Sequence, residues 1–504
     1  MSQWGAYGYA QHGWSWQRIL AHYYQGTRIS TTPISRVRVL LAASQPQVGV
    51  ECAGAIKVSD ATGRSYTLPS GAYSVGRGLK LPVGHRSVHA KQAHRHHDSV
   101  LTVAVRRSLR SPLVFDCPSA PLEWNGRAYH GMLVVRRTGK QLSLVNSLPL
   151  DEYVQGVVAG EMPWRWSFAA LEAQAVAARS YAVATLKPGQ HFDLFSDTRD
   201  QVYGGIAYET EKTNLAVQRT AGTVLTWNGH VATTYFFSTS GGRTADVREV
   251  WPKLGDIPYL RSVSDPYDAS SPHHEWGPIA LDTTKLAKRL HAAVGAVRVI
   301  HSASGRVSSV LIGSRRVDAS EFRKVFGLAS TWFSVGELSL SASSAQIVYG
   351  GKLSLVARAR EVGTALLQRR IGAGAWKTLR SVRGGAAITV EPQGRTVYRL
   401  SAADVRGPEV SVAVAPRLHV EPTGAGVLAG SVQPLSRGEI TVSRRMAGAW
   451  RVVAHPRLDA EGEFRTPLRL RPGGYRVSVD GNGRFAAVTT SVMVTPRLLA
   501  SFAR

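Results

Sequence analysis

The pattern of apolar and polar positions changes character several times along the 504 residues. After a Gly-rich lead, Trp16, Ile19, Leu20 and Tyr23 recur at helical spacing behind Ser15. That predicts a short capped helix, ended by Gly26. From about 36 to 145 the pattern is strands and turns, with short apolar strands at 37–41 and 142–145 and a hairpin signal in Trp124-Asn125-Gly126-Arg127. From 148 to about 335 it becomes mixed α/β. The apolar run 153–158 reads as a strand leading into Glu161. Phe168, Leu171, Ala175, Ala178 and Ala182 would line the buried stripe of a helix whose small side chains admit close packing. Residues 224–227, the turn Asn228-Gly229 and residues 231–237 read as a hairpin, and Asp318-Ala319-Ser320-Glu321 predicts a capping box opening a helix that runs to Phe326. Beyond 335, short alternating strands and Gly-rich turns take over. The segment Gln368-Arg369-Arg370-Ile371-Gly372-Ala373-Gly374-Ala375-Trp376 is echoed by Ser443-Arg444-Arg445-Met446-Ala447-Gly448-Ala449-Trp450, which predicts two tandem β-sandwich modules joined near Pro416.

Charge narrows the partners. A formal net charge of +27 favours polyanions: nucleic acid, anionic lipid or acidic wall polymers. The chain has no Lys-rich block and its arginines are spread throughout, so nucleic acid is not the expected partner. No apolar run reaches the ~18 residues of a membrane span. The first twenty residues contain neither a cationic lead nor a continuous apolar stretch of the kind an export signal has. The two cysteines, Cys52 and Cys117, are too few for a four-thiolate zinc site; they form either one disulfide, in an oxidising compartment, or two separate buried thiols. The run from Val83 to His97 holds five histidines, but they alternate with Arg and Lys and read as a solvated basic loop, not a metal site.

The candidate chemistry centres on Gly160-Glu161-Met162-Pro163. The apolar and aromatic residues flanking Glu161 disfavour its ionised form, which is how a glutamate is kept protonated as a general acid near neutral pH. The plainer reading is an acidic residue that stabilises the start of the following helix. Other polar residues gather in the same region: Gln174, Arg179 and Tyr181 on that helix, then Asp197, Asp200, Gln201 and Tyr203 in a loop. Ser238-Thr239-Ser240-Gly241-Gly242-Arg243-Thr244 could present hydroxyls and backbone N–H groups to a sugar, although it lacks the Gly-x-Ser-x-Gly pattern of hydrolases.

These segments together resemble the stage II sporulation protein D (SpoIID/LytB) family over about 143–335. The resemblance is carried by Leu148-Pro149-Leu150-Asp151-Glu152-Tyr153 continuing to Glu161-Met162-Pro163, by Ala173-Gln174-Ala175-Val176-Ala177-Ala178-Arg179-Ser180-Tyr181, by Gln201-Val202-Tyr203-Gly204-Gly205, by the 238–244 segment and by Pro258-Tyr259-Leu260-Arg261-Ser262-Val263. Met1-Ser2-Gln3-Trp4-Gly5-Ala6-Tyr7-Gly8 and His22-Tyr23-Tyr24-Gln25-Gly26-Thr27 match a further family segment. The resemblance implies a lytic transglycosylase that cleaves between MurNAc and GlcNAc in peptidoglycan glycan strands stripped of stem peptides, leaving a 1,6-anhydro end, with Glu161 as the catalytic acid. Such chemistry needs no second carboxylate to activate water, unlike ordinary glycosidases.

The expected substrate-binding residues are Gln174, Arg179, Tyr181, Gln201, Tyr203, Ser238, Ser240 and Arg243. No metal and no cofactor are expected: Arg243 stands where the family often has histidine, and no cysteine follows Cys117. The expected fold class is mixed α+β: a SpoIID-like α/β core with a preceding or inserted β-rich domain and two C-terminal β-sandwich modules. The segments are 1–33 (family motif and helix), 34–142 (β-rich), 143–335 (core), 336–415 and 416–504 (modules). Partners implied are glycan strands, anionic wall polymers and, if the protein is a non-catalytic enhancer or wall-binding relative, a cell-wall amidase. The place of action implied is extracellular or the cell envelope. Because Met1 begins in the middle of a family motif, a late-called start and a lost signal peptide are expected.

Overall fold

The computed structural model describes residues 1–90, 99–293, 296–403, 405–424, 426–435 and 438–501, without the side chains of 84–90 and 99–105. It is a mixed α/β protein with many sheets and few helices, divided into two compact units: 1–276 with 301–306, and 277–300 with 307–504.

The first unit opens with helix α1 (Gln3–Gln11) and helix α2 (Trp16–Tyr23), each capped by a serine: Ser2 Oγ accepts from Gly5 N, and Ser15 Oγ accepts from Arg18 N. The predicted second helix is present. The Gly-rich lead is itself a helix, because Gly5 and Gly8 are required by their neighbours. A Cβ at Gly5 would strike the Tyr23 hydroxyl and the Asp265 carboxylate, and one at Gly8 would strike Tyr267. Close tertiary approach here outweighs the ~1 kcal/mol that glycine costs a helix.

A seven-stranded sheet runs in the order Leu194–Phe195, Arg36–Gln45, Gln141–Pro149, Met132–Thr138, Leu113–Asp116, Ile56–Ser59, Ser65–Leu68, antiparallel except for its first pair. Beside it is a four-stranded sheet that includes Gln47–Cys52 and the hairpin of Leu122–Trp124 with Arg127–Tyr129. That hairpin turns on Asn125 and Gly126, both at positive φ, as the Asn-Gly signal demands. Cys52 and Cys117 form a disulfide, which settles the alternative the sequence left open. Strand Lys80–Ala90 pairs with Ser99–Ser108, so the first part of the histidine-rich run is strand, not loop; its side chains lie outside the described residues.

The segment before Glu161 is a correction. Residues Leu150–Glu161 form helix α3, not a strand, begun after Pro149 with Asp151 and Glu152 in the first turn, where they complement the helix dipole. Helix α4 (Phe168–Ala184) follows and is buried on nearly every side: Ala173, Ala175, Val176, Ala177, Ala178 and Ala182 have no exposed surface. It touches α1, α2 and α3, helix α5 (Glu211–Arg219) and strand Thr223–Trp227, and small side chains let that many backbones approach one axis. Thr223–Trp227 and His230–Val231 form the predicted hairpin about Asn228-Gly229, but its second strand stops at Val231 instead of reaching 237.

In the second unit, Asp318 caps helix Ala319–Phe326, its carboxylate accepting from Ser320 N at 2.8 Å. Two β-sandwiches follow, each with its own core: Leu355, Leu367 and Tyr398 in the first, Val442, Phe464 and Tyr475 in the second. The sequence repeat is structural. Its two copies are the hairpins Ala365–Ile371 with Lys377–Val382 and Ile440–Met446 with Ala449–Ala454, each carrying a bulge. Among the described residues, no helix is long and apolar enough to cross a membrane.

Candidate functional site

Glu161 is the last residue of α3 and half-buried. Gly156 and Gly160 lie one turn apart on that helix. A Cβ at Gly156 would come within 2.6 Å of the Tyr203 ring, and one at Gly160 within 2.7 Å of the Tyr208 ring. The two glycines therefore let the loop after Gln201 lie directly on the helix, and the loop delivers Val202 N to Glu161 Oε1 at 3.4 Å. The other carboxylate oxygen, Oε2, accepts from Gln3 Nε2 of α1 at 3.3 Å. Burial pushes the Glu161 carboxyl above its ordinary range, against these two hydrogen bonds, which favour the ionised form. Its position at the negative end of the α3 dipole acts in the same direction as burial.

Gln3 also ties this carboxylate to the Ser-Gly-Gly turn. Gln3 N donates to Phe237 O at 2.8 Å and Trp4 N to Ser238 O at 3.0 Å, so the first turn of α1 continues the 235–238 segment. The turn itself is organised by Asp268, which is fully buried. Its Oδ1 accepts from Ser240 N (2.9 Å) and Ser2 Oγ (2.7 Å), its Oδ2 from Gly241 N (3.0 Å), and His274 Nδ1 is 3.0 Å from Oδ2. The neighbouring Asp265, also without exposed surface, accepts from the Tyr23 hydroxyl at 2.7 Å, and burial pushes its carboxyl up. Aromatic rings surround these segments. Trp166 stacks on Tyr7 at 4.7 Å and meets Trp4 edge-on at 4.9 Å, while Trp164 and Phe237 are exposed.

The structure brings some of the sequence-predicted residues together and not others. Glu161 and Ser238, 77 positions apart, meet through Gln3 and Trp4, and the Ser238 hydroxyl is exposed. Tyr181 is half-buried, 5.9 Å from the Tyr235 ring, with its phenol pushed up to about 12 by burial, Asp200 and Tyr235. Arg243 donates from Nε to Ser262 Oγ at 3.0 Å. Ser240 is buried, and its hydroxyl accepts from Gly242 N within the turn.

The remaining candidates are inside. Gln201 Nε2 donates to Ala178 O and to Tyr153 Oη, and the Tyr203 hydroxyl donates to Asn146 Oδ1. Gln174 has no exposed surface, and its amide has no hydrogen-bond partner among the described residues. Arg179, expected on the substrate, has no exposed surface either: its guanidinium donates to Asp151, Thr223 O and Val217 O, joining α4 to α3 and α5. Sequence reasoning missed Gln3, Asp265, Asp268 and His274. The only signal for Gln3 was its place in the Met1–Gly8 motif; nothing local marks the two aspartates. Among the described residues, no group of three or more His, Cys, Asp or Glu is placed to hold a metal ion.

Comparison with known proteins agrees with this region. Residues 138–227 match the family model SpoIID, described as stage II sporulation protein, a span that contains Glu161 and Val202. Stage II sporulation protein D of Bacillus subtilis (strain 168) is 34% identical over 220 residues, covering 40% of this chain and 63% of that protein. The namesake from Bacillus amyloliquefaciens is 30% identical over 211 residues, 38% of this chain and 60% of that protein. An amidase enhancer of Bacillus subtilis (strain 168) is 41% identical over 115 residues, 23% of this chain and 15% of that protein. The chain thus spans less than two thirds of the length of these relatives. Among solved structures, the human OSCAR ligand-binding domain aligns with 31% of this chain and 97% of its own at 14% identity and a TM-score of 0.14, too low to bear on the fold.

Proposed function

Through its 138–227 region the chain belongs to the SpoIID family, and from that premise we propose that it is a cell-wall protein that cuts peptidoglycan glycan strands as a lytic transglycosylase, with Glu161 as its acid. The observation that carries this reading is the environment of Glu161. Burial at a helix C-terminus favours the protonated acid, while Gln3 and Val202 wait with two long hydrogen bonds for the carboxylate that proton donation leaves. In the reaction, Glu161 donates its proton to the glycosidic oxygen as the C1–O bond breaks. The 6-hydroxyl of the same sugar closes on C1, and the Glu161 carboxylate takes the hydroxyl proton. No water is consumed, and the product carries a 1,6-anhydro end. Ser238, Tyr181 and Arg243 are the substrate-side candidates with exposed or half-exposed side chains. We assign this activity to a SpoIID-like core over 143–335, working in the cell envelope or outside the cell, with the basic surface holding the protein against anionic wall polymers.

The test is incubation of the purified protein with glycan strands stripped of stem peptides, and with intact peptidoglycan, followed by mass spectrometry for anhydro-ended fragments. Wild type is expected to release them and Glu161→Gln is not. Identical products from both would remove Glu161 from the mechanism. The match to an amidase enhancer favours a second reading, in which the chain binds wall and stimulates a separate amidase. Wall binding by both proteins with no cleavage by either, and faster amidase turnover in their presence, would select it.

A further inference from the structure

His274 has no part in the chemistry assigned to Glu161, yet its ring is fixed at one nitrogen and open at the other. Nδ1 lies 3.0 Å from Asp268 Oδ2; the Asp268 side chain has no exposed surface, whereas that of His274 is 27% exposed. A carboxylate only accepts, so Nδ1 carries the hydrogen, and the neutral ring keeps its lone pair on Nε2. Among the described residues Nε2 has no partner.

Backbone turns set the ring in place. Asp268 N donates to Asp265 O, Ser271 N to Asp268 O and His274 N to Ser271 O, so 265–274 folds back until the ring meets the carboxylate six positions earlier. The Ser-Gly-Gly turn lies against it. A Cβ at Gly242 would come 3.6 Å from His274 Cε1, the carbon between the two nitrogens. Gly241 and Gly242 have φ of 76° and 98°, where glycine is favoured. The bare turn thus leaves this edge of the ring uncovered.

Asp268 does not need His274 as a donor. Ser240 N, Gly241 N and Ser2 Oγ already donate to its two oxygens, and the buried Arg306 guanidinium brings positive charge to the same turn, donating to Ser240 O at 2.7 Å and Arg243 O at 2.8 Å. The dependence runs the other way: the carboxylate fixes the imidazole, as carboxylates do for histidines whose second nitrogen meets a ligand. The ring is also tied to the surroundings of Glu161. Ser2 bonds to Asp268, and Gln3, the next residue, bonds to Glu161. The segment 237–242 is bonded to Gln3 through Phe237 O and to Asp268 through Ser240 N; along it Phe237 and Ser238 are exposed, and the Ser238 and Thr239 hydroxyls lie 3.3 Å apart.

We propose that His274 is a glycan-contacting residue of the Glu161 site, its Nε2 accepting a hydrogen bond from a sugar hydroxyl. This rests on the reading of the chain as a protein that binds glycan strands. An outward lone pair takes an O–H donor and refuses an anion, and the neighbouring Ser238 and Thr239 hydroxyls can donate to or accept from an alcohol. His274 positions the strand and takes no proton in the reaction.

The experiment separates the two ring nitrogens. Asparagine can place its amide nitrogen where Nδ1 stands and keep the bond to Asp268, but it has nothing at the position of Nε2. His274→Asn is expected to leave hydrogen exchange at the Ser240 and Gly241 amides unchanged and to weaken binding of stripped glycan strands about 10-fold, roughly the worth of one hydrogen bond. KM should rise by the same factor with kcat unchanged, the mark of a contact made equally in ground and transition states. Binding is measured in the Glu161→Gln background, so it does not depend on cleavage. Unchanged exchange with unchanged binding would overturn the proposal, and if wild type still cuts strands it alone falls. Binding that weakens as expected, in a protein that cuts nothing, would remove the proposed reaction and leave His274 in place. No binding of strands by either protein overturns both. Should the asparagine variant quicken exchange at the turn, diethylpyrocarbonate labelling of the wild-type protein decides: bound strands are expected to protect His274, and no protection overturns the idea.

Discussion

Replacing Asp151 by alanine should cost more than replacing its buried partner, and once that partner is gone the same change should cost little. Arg179 has no exposed surface, and its guanidinium lies 2.6 Å from the Asp151 carboxylate, which is 38% exposed. Breaking a buried pair from one side costs about 3–5 kcal/mol because a charge is left without compensation. Solvent reaches Asp151, which screens the pair, so the low end applies: Asp151→Ala should lose about 3 kcal/mol. At about 2–4 °C per kcal/mol for a unit of this size, that lowers Tm by about 6–12 °C. Arg179→Met removes the cation but leaves Thr223 O and Val217 O without their donor, at about 1 kcal/mol each. In the Arg179→Met background the half-exposed Asp151 is free to hydrate, so adding Asp151→Ala should cost under about 0.5 kcal/mol. The assay is thermal unfolding of the four proteins, together with binding to stripped glycan strands. The cycle should show a coupling of about 2–3 kcal/mol, with glycan binding unchanged. Additive losses, or an Arg179→Met protein of normal stability that binds glycan weakly, would refute the reasoning and return Arg179 to the substrate.

Glu161→Gln should lower turnover by about 100- to 10,000-fold, the usual contribution of a positioned acid, and should also change how stability varies with pH. A folded carboxyl raised above its ordinary value near 4.5 binds its proton more tightly than in the unfolded chain, so stability falls as pH climbs from that value through the raised one. The glutamine variant should lose this slope in a pH series of denaturant melts, leaving the part that Asp265, raised in the same direction, contributes. Cys52→Ser with Cys117→Ser opens a loop spanning 65 positions, worth up to about 4 kcal/mol by loop entropy, readable as a lower denaturant midpoint. Asp268→Asn replaces one of the two accepting oxygens by a donor, and should raise the hydrogen-exchange rates of the Ser240 and Gly241 amides and destabilise by about 3 kcal/mol. Gly160→Ala, normally stabilising in a helix by about 1 kcal/mol, should here destabilise and reduce cleavage, because the new methyl displaces Tyr208 from α3.

What could be read from the sequence followed from local chemistry. The Ser15 cap, the Asn125-Gly126 and Asn228-Gly229 turns and the Asp318 cap satisfy backbone requirements within a few residues, and each is present. The echo of 368–376 in 443–450 marked two hairpins of the same build. Features that depend on distant partners were misread or invisible. Val157 and Val158 made 153–158 look like strand, although Pro149 followed by Asp151 and Glu152 is a helix-start signal, and the four-residue spacing of Gly156 and Gly160 marked a close approach. The all-round burial of α4 left Arg179 and Gln174 inside, because a helix touched on every side has no polar face to offer. Asp268 could not be found at all, since its role is defined by amides 27 and 28 positions earlier in the chain.

The assembly of the site explains why Glu161, the proposed acid, depends on so distant a residue. A general acid has two opposing requirements: it must hold its proton until the leaving oxygen needs it, and the carboxylate left behind must not be so unfavourable that donation is prevented. Burial and the end of α3 meet the first requirement; the donors Gln3 and Val202 meet the second. At 3.3 and 3.4 Å these hydrogen bonds are long, so they oppose desolvation without cancelling it, and the carboxyl stays above its ordinary range. Gln3 holds its place only because its own backbone N–H, with that of Trp4, is bonded to Phe237 and Ser238, and because Asp268 fixes Ser2 and the turn after Ser238 at once. Anything that shifts the Asp268 turn therefore reaches Glu161 through α1. The same carboxylate that orders the Ser-Gly-Gly segment thus sets, at one remove, how readily Glu161, the proposed acid, would give up its proton.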